Sequence, residues 1–383
     1  MPAISCGHPQ VGEPGRSRVV RSIRWHGVGA LGLLASAVSF GAPATGPAGV
    51  AELAREVRNK GWIAYGNFRA RGDMDLYLMR PDGSDSRKIT DTPDMHEGAP
   101  QFSPDGRKLL YRRVRRTTKL EHRRFGFQGR VIIANADGSD PVAIGEVGEH
   151  PWACWSPDSK QVSCLTLEGI QIVDLATEKV VRTLPRKGIY EHLYWSPDGK
   201  WFCGVANTYG GKWTVVRLNA ETGQTNPLFR PPGGQAEGQS RGSDISRGLE
   251  CAPDWFPDAK RVLFSRRPHR PEGHSWTQLW MASADGKHVR PVHAEEGRHL
   301  YGGTVSPDGK YVLFSRAVWH DRGGQVSVLQ MGLTRRHDVP TFSGEGNRFQ
   351  EAFPNAKRVP VLGLPAGLEP DWTYANVKEK ESP

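Results

Sequence analysis

One short turn recurs five times along this chain, and that recurrence constrains the fold more than any other property of the sequence. The copies are Phe102-Ser103-Pro104-Asp105-Gly106-Arg107, Trp155-Ser156-Pro157-Asp158-Ser159-Lys160, Trp195-Ser196-Pro197-Asp198-Gly199-Lys200, Trp255-Phe256-Pro257-Asp258-Ala259-Lys260 and Val305-Ser306-Pro307-Asp308-Gly309-Lys310. Proline pre-sets φ at the first corner of a turn, Asp bonds back to the local backbone, and Gly takes the left-handed conformation that closes a short hairpin. Runs such as Leu109-Leu110-Tyr111, Val262-Leu263-Phe264 and Tyr311-Val312-Leu313-Phe314 follow the turns, and their β-branched and aromatic content predicts strands.

A second unit lies further along each repeat, where an apolar strand runs into an Asp-Gly turn. Leu76-Tyr77-Leu78-Met79-Arg80-Pro81-Asp82-Gly83, Val131-Ile132-Ile133-Ala134-Asn135-Ala136-Asp137-Gly138 and Leu279-Trp280-Met281-Ala282-Ser283-Ala284-Asp285-Gly286 are examples. Each repeat therefore reads as four hairpin-connected strands. The steps between successive turn aspartates, from Asp105 to Asp308, are 53, 40, 60 and 50 residues. Propeller blades recur at roughly 40–50 residues with insertions in loops, which favours a radial propeller over a sandwich.

The two ends set the blade number. The first repeat begins at Gly61-Trp62-Ile63-Ala64-Tyr65 without a preceding turn and lacks its innermost strand, whereas Leu368-Glu369-Pro370-Asp371-Trp372 is an inner strand with no turn after it. A C-terminal strand completing the N-terminal blade leaves no sheet edge open. The expectation is an all-β fold, a six-bladed β-propeller of four-stranded antiparallel blades spanning 61–375, with a linker at 45–60 and a C-terminal tail at 376–383.

These turns and strands resemble the TolB-like, or PD40, β-propeller repeats, in which a Trp-Ser-Pro-Asp-Gly-Lys turn is followed by an Asp-Leu-Tyr-x-Met-x-Ala-Asp-Gly strand and turn. The resemblance covers about Gly61 to Tyr374. It implies an envelope-associated propeller, although the residues ahead of Gly61 leave no room for the α/β domain that precedes the propeller in TolB itself.

Arg16, Arg18, Arg21 and Arg24 precede the apolar run from Gly27 to Phe40, and Ala42-Pro43-Ala44 follows. A basic start, a short apolar stretch and a small-residue site are the parts of a cleaved secretory signal, here 1–44. The run is shorter than the ~20 residues a spanning helix needs, so no transmembrane span is expected in the mature chain. The expected location is periplasmic or secreted. The net charge of +10 falls to about +7 without the leader, which suits an envelope or polyanionic setting. No nucleic-acid motif accompanies it. Cys154 and Cys164 fall on consecutive strands of one hairpin, close enough to be candidates for a disulfide; the alternative is that both are buried apolar residues.

The regular turns occupy one face of the predicted ring, so variable function is expected on the other. There stand irregular loops and the residues leading into each inner strand: His96 and Glu97, Glu149 and His150, Glu191 and His192, Glu250, His299, and Glu369. Six symmetry-related positions around one axis converge on the channel mouth. His150, His192, Glu250, His299 and Glu369 are candidates for a divalent metal, and His96, Glu97, Glu149 and Glu191 for a small ligand. Arg112, Arg113, Arg115 and Arg116, with Arg266 and Arg267 in another blade, form a candidate rim for an acidic glycan or peptide.

Gly238-Gln239-Ser240-Arg241-Gly242 matches a hydrolase nucleophile elbow, but that motif acts only on a strand-turn-helix of an α/β sheet, and the chain predicts none. The favoured function is a monomeric, non-enzymatic module that binds an envelope protein or acidic glycan. The alternative is a metal-assisted polysaccharide lyase or hydrolase using the channel mouth, by analogy with the oligogalacturonate lyases, which resemble TolB-like propellers but have seven blades and a histidine arrangement that this sequence does not match residue by residue.

Overall fold

Every Ser-Pro-Asp turn closes in the same way. Ser103 Oγ donates to Asp105 Oδ1 at 2.6 Å and accepts from the Lys108 backbone N–H at 2.9 Å. The Ser–Asp bond recurs at 2.6 Å in Ser156–Asp158, 2.7 Å in Ser196–Asp198 and 2.8 Å in Ser306–Asp308. The residue after Asp is left-handed in all five copies, with φ of 70–74° at Gly106, Gly199 and Gly309, but 60° at Ser159 and 54° at Ala259, where a Cβ bears the strain that glycine avoids. A backbone bond then ties this turn to the second one. Ala136, Leu175, Ala220, Ala284 and Arg336 donate to the carbonyls of Arg107, Lys160, Lys200, Lys260 and Lys310 at 2.7–3.0 Å, so both turn families stand at one end of their sheets.

The computed structural model describes residues 47–68, 74–117, 129–144, 152–206, 214–228, 249–267, 276–320, 325–344 and 348–377. Helix α1 (Pro47–Val57) precedes β1 (Trp62–Phe68), β2 (Met74–Met79) and β3 (Arg87–Lys88). The same sheet continues, through a parallel bridge from Met74 to His96, into β4 (Met95–Phe102), β5 (Lys108–Arg115), β6 (Arg130–Asn135) and β7 (Val142–Ile144), and two four-stranded sheets follow: β8 (Trp152–Trp155), β9 (Gln161–Leu165), β10 (Ile170–Asp174) and β11 (Lys179–Leu184); β12 (Ile189–Trp195), β13 (Trp201–Ala206), β14 (Thr214–Asn219) and β15 (Thr225–Pro227). Next come β16 (Leu249–Trp255), β17 (Arg261–Arg267), β18 (Gln278–Ser283) and β19 (Val289–Glu295), then β20 (His299–Val305), β21 (Tyr311–His320) and β22 (Gln325–Arg335). The chain ends in β23 (Thr341–Ser343), α2 (Arg348–Ala352), β24 (Lys357–Arg358), β25 (Leu362–Leu364) and β26 (Leu368–Thr373).

Consecutive strands within each repeat pair antiparallel. The C-terminal strand joins the N-terminal repeat as expected: β26 lies antiparallel to β1, with Ile63 opposite Trp372 and Ala64 opposite Asp371. Both faces of the sheets are buried against neighbours. One core cluster sets Trp62, Leu76 and Leu78 against Leu109, Tyr111 and Ile132, and another sets Ile63, Tyr65 and Met79 against Leu313, Met331 and Leu333.

The sequence reading missed the excursion between β22 and β25. Here β23 adds parallel to β19, with His293 opposite Thr341, and β24 adds parallel to β23, which widens that sheet to six strands before β25 returns to β22. Beneath it, Arg316 donates to Glu295 Oε1 at 2.7 and 3.0 Å, Ser343 Oγ donates to the same oxygen at 2.9 Å, and His293 Nδ1 lies 2.9 Å from Thr341 Oγ1.

One further expectation is corrected. The segment read as a linker, 45–60, carries α1, whose Leu53 and Val57 are fully buried beside Ile63 and Leu333 and whose Glu56 accepts from Arg335 and Tyr311. The helix docks because its apolar face covers the outer core of the first and last repeats. Leu53→Ala is expected to destabilise the fold by about 2–4 kcal/mol and to speed amide exchange throughout α1, measured by melting and hydrogen exchange; an unchanged melting point would contradict this docking. Of the two readings of the cysteine pair, that of buried apolar residues holds: Cys154 and Cys164 are both free and buried. Cys154 sits opposite Ser163 and Cys164 opposite Ala153, so the one-residue offset points the two thiols to opposite faces of their sheet.

Candidate functional site

The inner strands share a local distortion that shapes the axis. The pairing of β4, β12, β16 and β20 with the next strand slips at a bulge, and Ala99, His192, Ala252, Gly302 and Glu369 take φ between 47° and 55° at equivalent positions of β4, β12, β16, β20 and β26. Two residues beyond this point, each strand turns one side chain to the axis: Gln101, Cys154, Tyr194, Asp254, Thr304 and Asp371. These six line a cavity of about 260 Å³, with Phe102, Trp155, Trp195 and Trp255 in its walls and His192 and Glu369 toward its mouth.

Several axial groups also brace the neighbouring strand. Gln101 Nε2 donates to the Ala153 carbonyl at 3.0 Å, Asp254 Oδ2 accepts from Thr304 Oγ1 at 2.8 Å and Val305 N at 3.2 Å, and Asp371 Oδ2 accepts from Phe102 N at 2.6 Å. The wall tryptophans act likewise. Trp155 Nε1 donates to the Gln101 carbonyl at 3.1 Å and Trp255 Nε1 to that of Tyr194 at 3.2 Å.

Electrostatically the cavity is unusual for its two aspartates. Burial raises the Asp254 carboxyl to about 6, although bonds from Thr304 and Val305 oppose the shift. Burial likewise raises Asp371 to about 7, with the charge of Asp254 adding to it. Tyr194 is pushed well above its ordinary value by burial and by the charges of Asp254, Glu369 and Asp371, so it stays a neutral phenol. Burial holds the Cys154 thiol at about 12.

The mouth residues singled out in the sequence are mostly engaged in pairs. His96 Nδ1 accepts from the Met74 backbone N–H at 3.2 Å, fastening β4 to β2. Buried Glu97 accepts from Arg113 Nε at 2.7 Å. His299 Nδ1 accepts from Thr277 N at 3.1 Å, and burial, reinforced by the Arg267 charge, lowers this imidazole to about 3. Arg266 lies over the Trp280 ring at 4.4 Å. Glu149, His150 and the side chain of Glu250 lie outside the described residues, as do the loops at 118–128, 207–213, 229–248, 268–275 and 321–324.

One group of predicted residues does come together. Trp152 contacts the Arg112 guanidinium, 3.8 Å from its ring, and stacks on the His192 ring at 4.2 Å; Arg112 also donates to both Glu369 oxygens at 3.1 Å, and Glu191 Oε1 lies 3.6 Å from His192 Nδ1. Arg115 and Arg116 are exposed at the end of β5. Among the described residues, no three His, Cys, Asp or Glu side chains are grouped as a metal site. Sequence reasoning passed over Asp254 and Asp371, although both occupy the residue before the tryptophan in Pro253-Asp254-Trp255 and Pro370-Asp371-Trp372.

No family model matches the chain. A stretch of 55 residues, 13% of this chain and 12% of the relative, is 42% identical to the protein TolB homologue of Chlorobium luteolum, so the match spans only a small part of that protein's length. Among solved structures, TolB from Acinetobacter baumannii matches with a TM-score of 0.51 at 16% identity, covering 82% of this chain and 67% of that one. A putative TolB from Agrobacterium tumefaciens matches with a TM-score of 0.45 at 19% identity, covering 73% and 93%. Its repeated Ser-Pro-Asp turn, its all-β architecture and the fold it shares with TolB from Acinetobacter baumannii make the chain similar to the TolB β-propellers.

Proposed function

We propose that this chain is an exported, non-catalytic binding module of the cell envelope, working as a monomer. In this reading residues 1–44 are removed as a leader, residues 61–375 form six blades with β26 completing the first, 376–383 are a tail, and the channel mouth takes a partner protein or acidic glycan. The observation that carries it is the axial cavity, to which six inner strands each contribute a side chain at an equivalent position. A concave site ringed by few polar groups and aromatic walls is built for binding. The exposed Arg115 and Arg116 at the end of β5 supply positive charge for an acidic partner.

Affinity capture from solubilised envelopes tests this. The exported chain is expected to retain a discrete partner, and Arg115→Glu with Arg116→Glu to reduce capture by about tenfold, the equivalent of roughly 1.4 kcal/mol. Capture indifferent both to that pair and to Glu369→Ala would remove the mouth from the reading. Recovery of the chain in the cytoplasm with its leader attached would remove the export.

A further inference from the structure

Two aspartate carboxylates face one another's space in the axial cavity. Asp254 on β16 and Asp371 on β26 face the same space, and each is fixed by hydrogen bonds from the next inner strand. Among the described residues no Lys, Arg or His side chain forms an ion pair with either; Arg112 near the mouth is engaged by Glu369 and Trp152. The other groups facing the cavity are Gln101 from β4, Cys154 from β8, Tyr194 from β12 and Thr304 from β20, with Glu369 and the His192 ring, stacked on Trp152, also in its lining, and the Arg112 charge reaches Tyr194. Two carboxylates sharing an enclosed space repel each other, and either a proton or a cation relieves the repulsion.

We propose that this cavity binds an organic cation, a primary ammonium or guanidinium head group, between Asp254 and Asp371 and against the aromatic walls of Tyr194, Trp195 and Trp255. The proposal rests on the reading of the chain as a binding module and names the chemistry of what enters it. Two features fit the occupant. The walls offer ring surfaces to which a cation is attracted. At about 260 Å³ the space lies just below the ~300–1,000 Å³ of sites that enclose drug-sized ligands, a size suited to a head group. Because the carboxylates are already held by the neighbouring strands, little ordering is needed on binding.

Titration calorimetry on the full-length chain decides the matter, with butylammonium and butylguanidinium as probes and butanol as the neutral isostere. A Gly-Gly-Lys peptide tests a peptide-borne source of the same chemistry against the free amine. The cations are expected to bind and butanol not to. Binding should release protons between pH 6 and 7, where the two aspartates titrate, so the heat will differ between buffers of unlike ionisation enthalpy. Affinity should fall by about tenfold or more on going from pH 8 to about pH 5, as the carboxylates take up the protons that the cation must displace.

Asp254→Asn and Asp371→Asn keep an acceptor for the neighbouring strand. Each should weaken cation binding by about tenfold, and together they should abolish proton release, with the melting point showing that the variants remain folded. Equal binding of butanol, wild-type affinity in the double variant, or no cation binding at millimolar concentration would each overturn the proposal. Envelope capture that persists in the double variant while no cation binds would reject the cation site alone; cation binding without any captured partner would reject the broader function alone.

Discussion

Trp372→Ala is expected to destabilise the chain by about 3–5 kcal/mol, the range for truncating a large buried aromatic. The side chain is 5% exposed in the core shared by Ile63, Tyr65, Leu313 and Leu333, and its Nε1 donates to the Lys60 carbonyl at 2.7 Å. It thus joins three segments distant in sequence: α1 with the chain leaving it, the first repeat, and the last repeat. The strand that carries it is the sole partner of β1 on that side, and the backbone leaves little slack there. A Cβ on Gly61, whose φ is +75°, would stand 1.9 Å from the Thr373 carbonyl oxygen. Chemical denaturation of Trp372→Ala should lower the midpoint and uncover β1 and β2 to amide exchange together. A loss under about 1 kcal/mol would mean that β26 is an ornament on the first repeat and not its inner strand.

Arg316→Ala should cost a comparable amount, about 3–5 kcal/mol, because it strands a buried carboxylate. Glu295 is 4% exposed and takes Arg316 and Ser343 on one oxygen, while Arg298 reaches the other at 3.3 Å. Burial alone would raise the Glu295 carboxyl; the bond with His293 and the charge of Arg316 overcome that and bring it to about 2. Burial lowers the His293 imidazole, so Arg316 provides the charge at neutral pH. Since the folded value lies below the ordinary 4.5, the stabilisation is fully present above the ordinary carboxylate range and disappears as pH falls toward 2. Stability measured from neutral pH downward should therefore decline more steeply in the wild type than in Arg316→Ala. Pairing the change with Glu295→Gln should recover part of the loss, because the uncompensated charge is then gone. Parallel pH profiles in wild type and variant would refute this account.

Much of the fold was legible because its determinants are local. Ser103, Pro104, Asp105 and Gly106 specify their turn within four residues, and the same chemistry recurs at Asp158, Asp198 and Asp308. Strand alternation, the second turn and the role of β26 followed from that periodicity. The excursion through β23 and β24 was invisible, since strands of three and two residues carry no period, and their place is set by a parallel partner, β19, some fifty residues upstream. Helix α1 was read as a linker because its tie to the sheet lies in residues such as Arg335, nearly three hundred positions away.

The site divides along the same line. His96, Glu97 and His299 were read as recurring polar positions, yet their partners are Met74, Arg113 and Thr277, which no inspection of the inner strands alone reveals. Asp254 and Asp371 were not singled out, because which inner-strand residue faces the axis depends on the bulge that rotates it there. The repeating turn determined by itself the all-β, four-stranded repeat and its likeness to the TolB propellers, since short-range hydrogen bonding and a fixed spacing suffice for that. Which polar residues are consumed in holding the sheets together, and which face the shared cavity, was decided only by the tertiary structure, because burial and charge pairing depend on neighbours brought together from all parts of the chain.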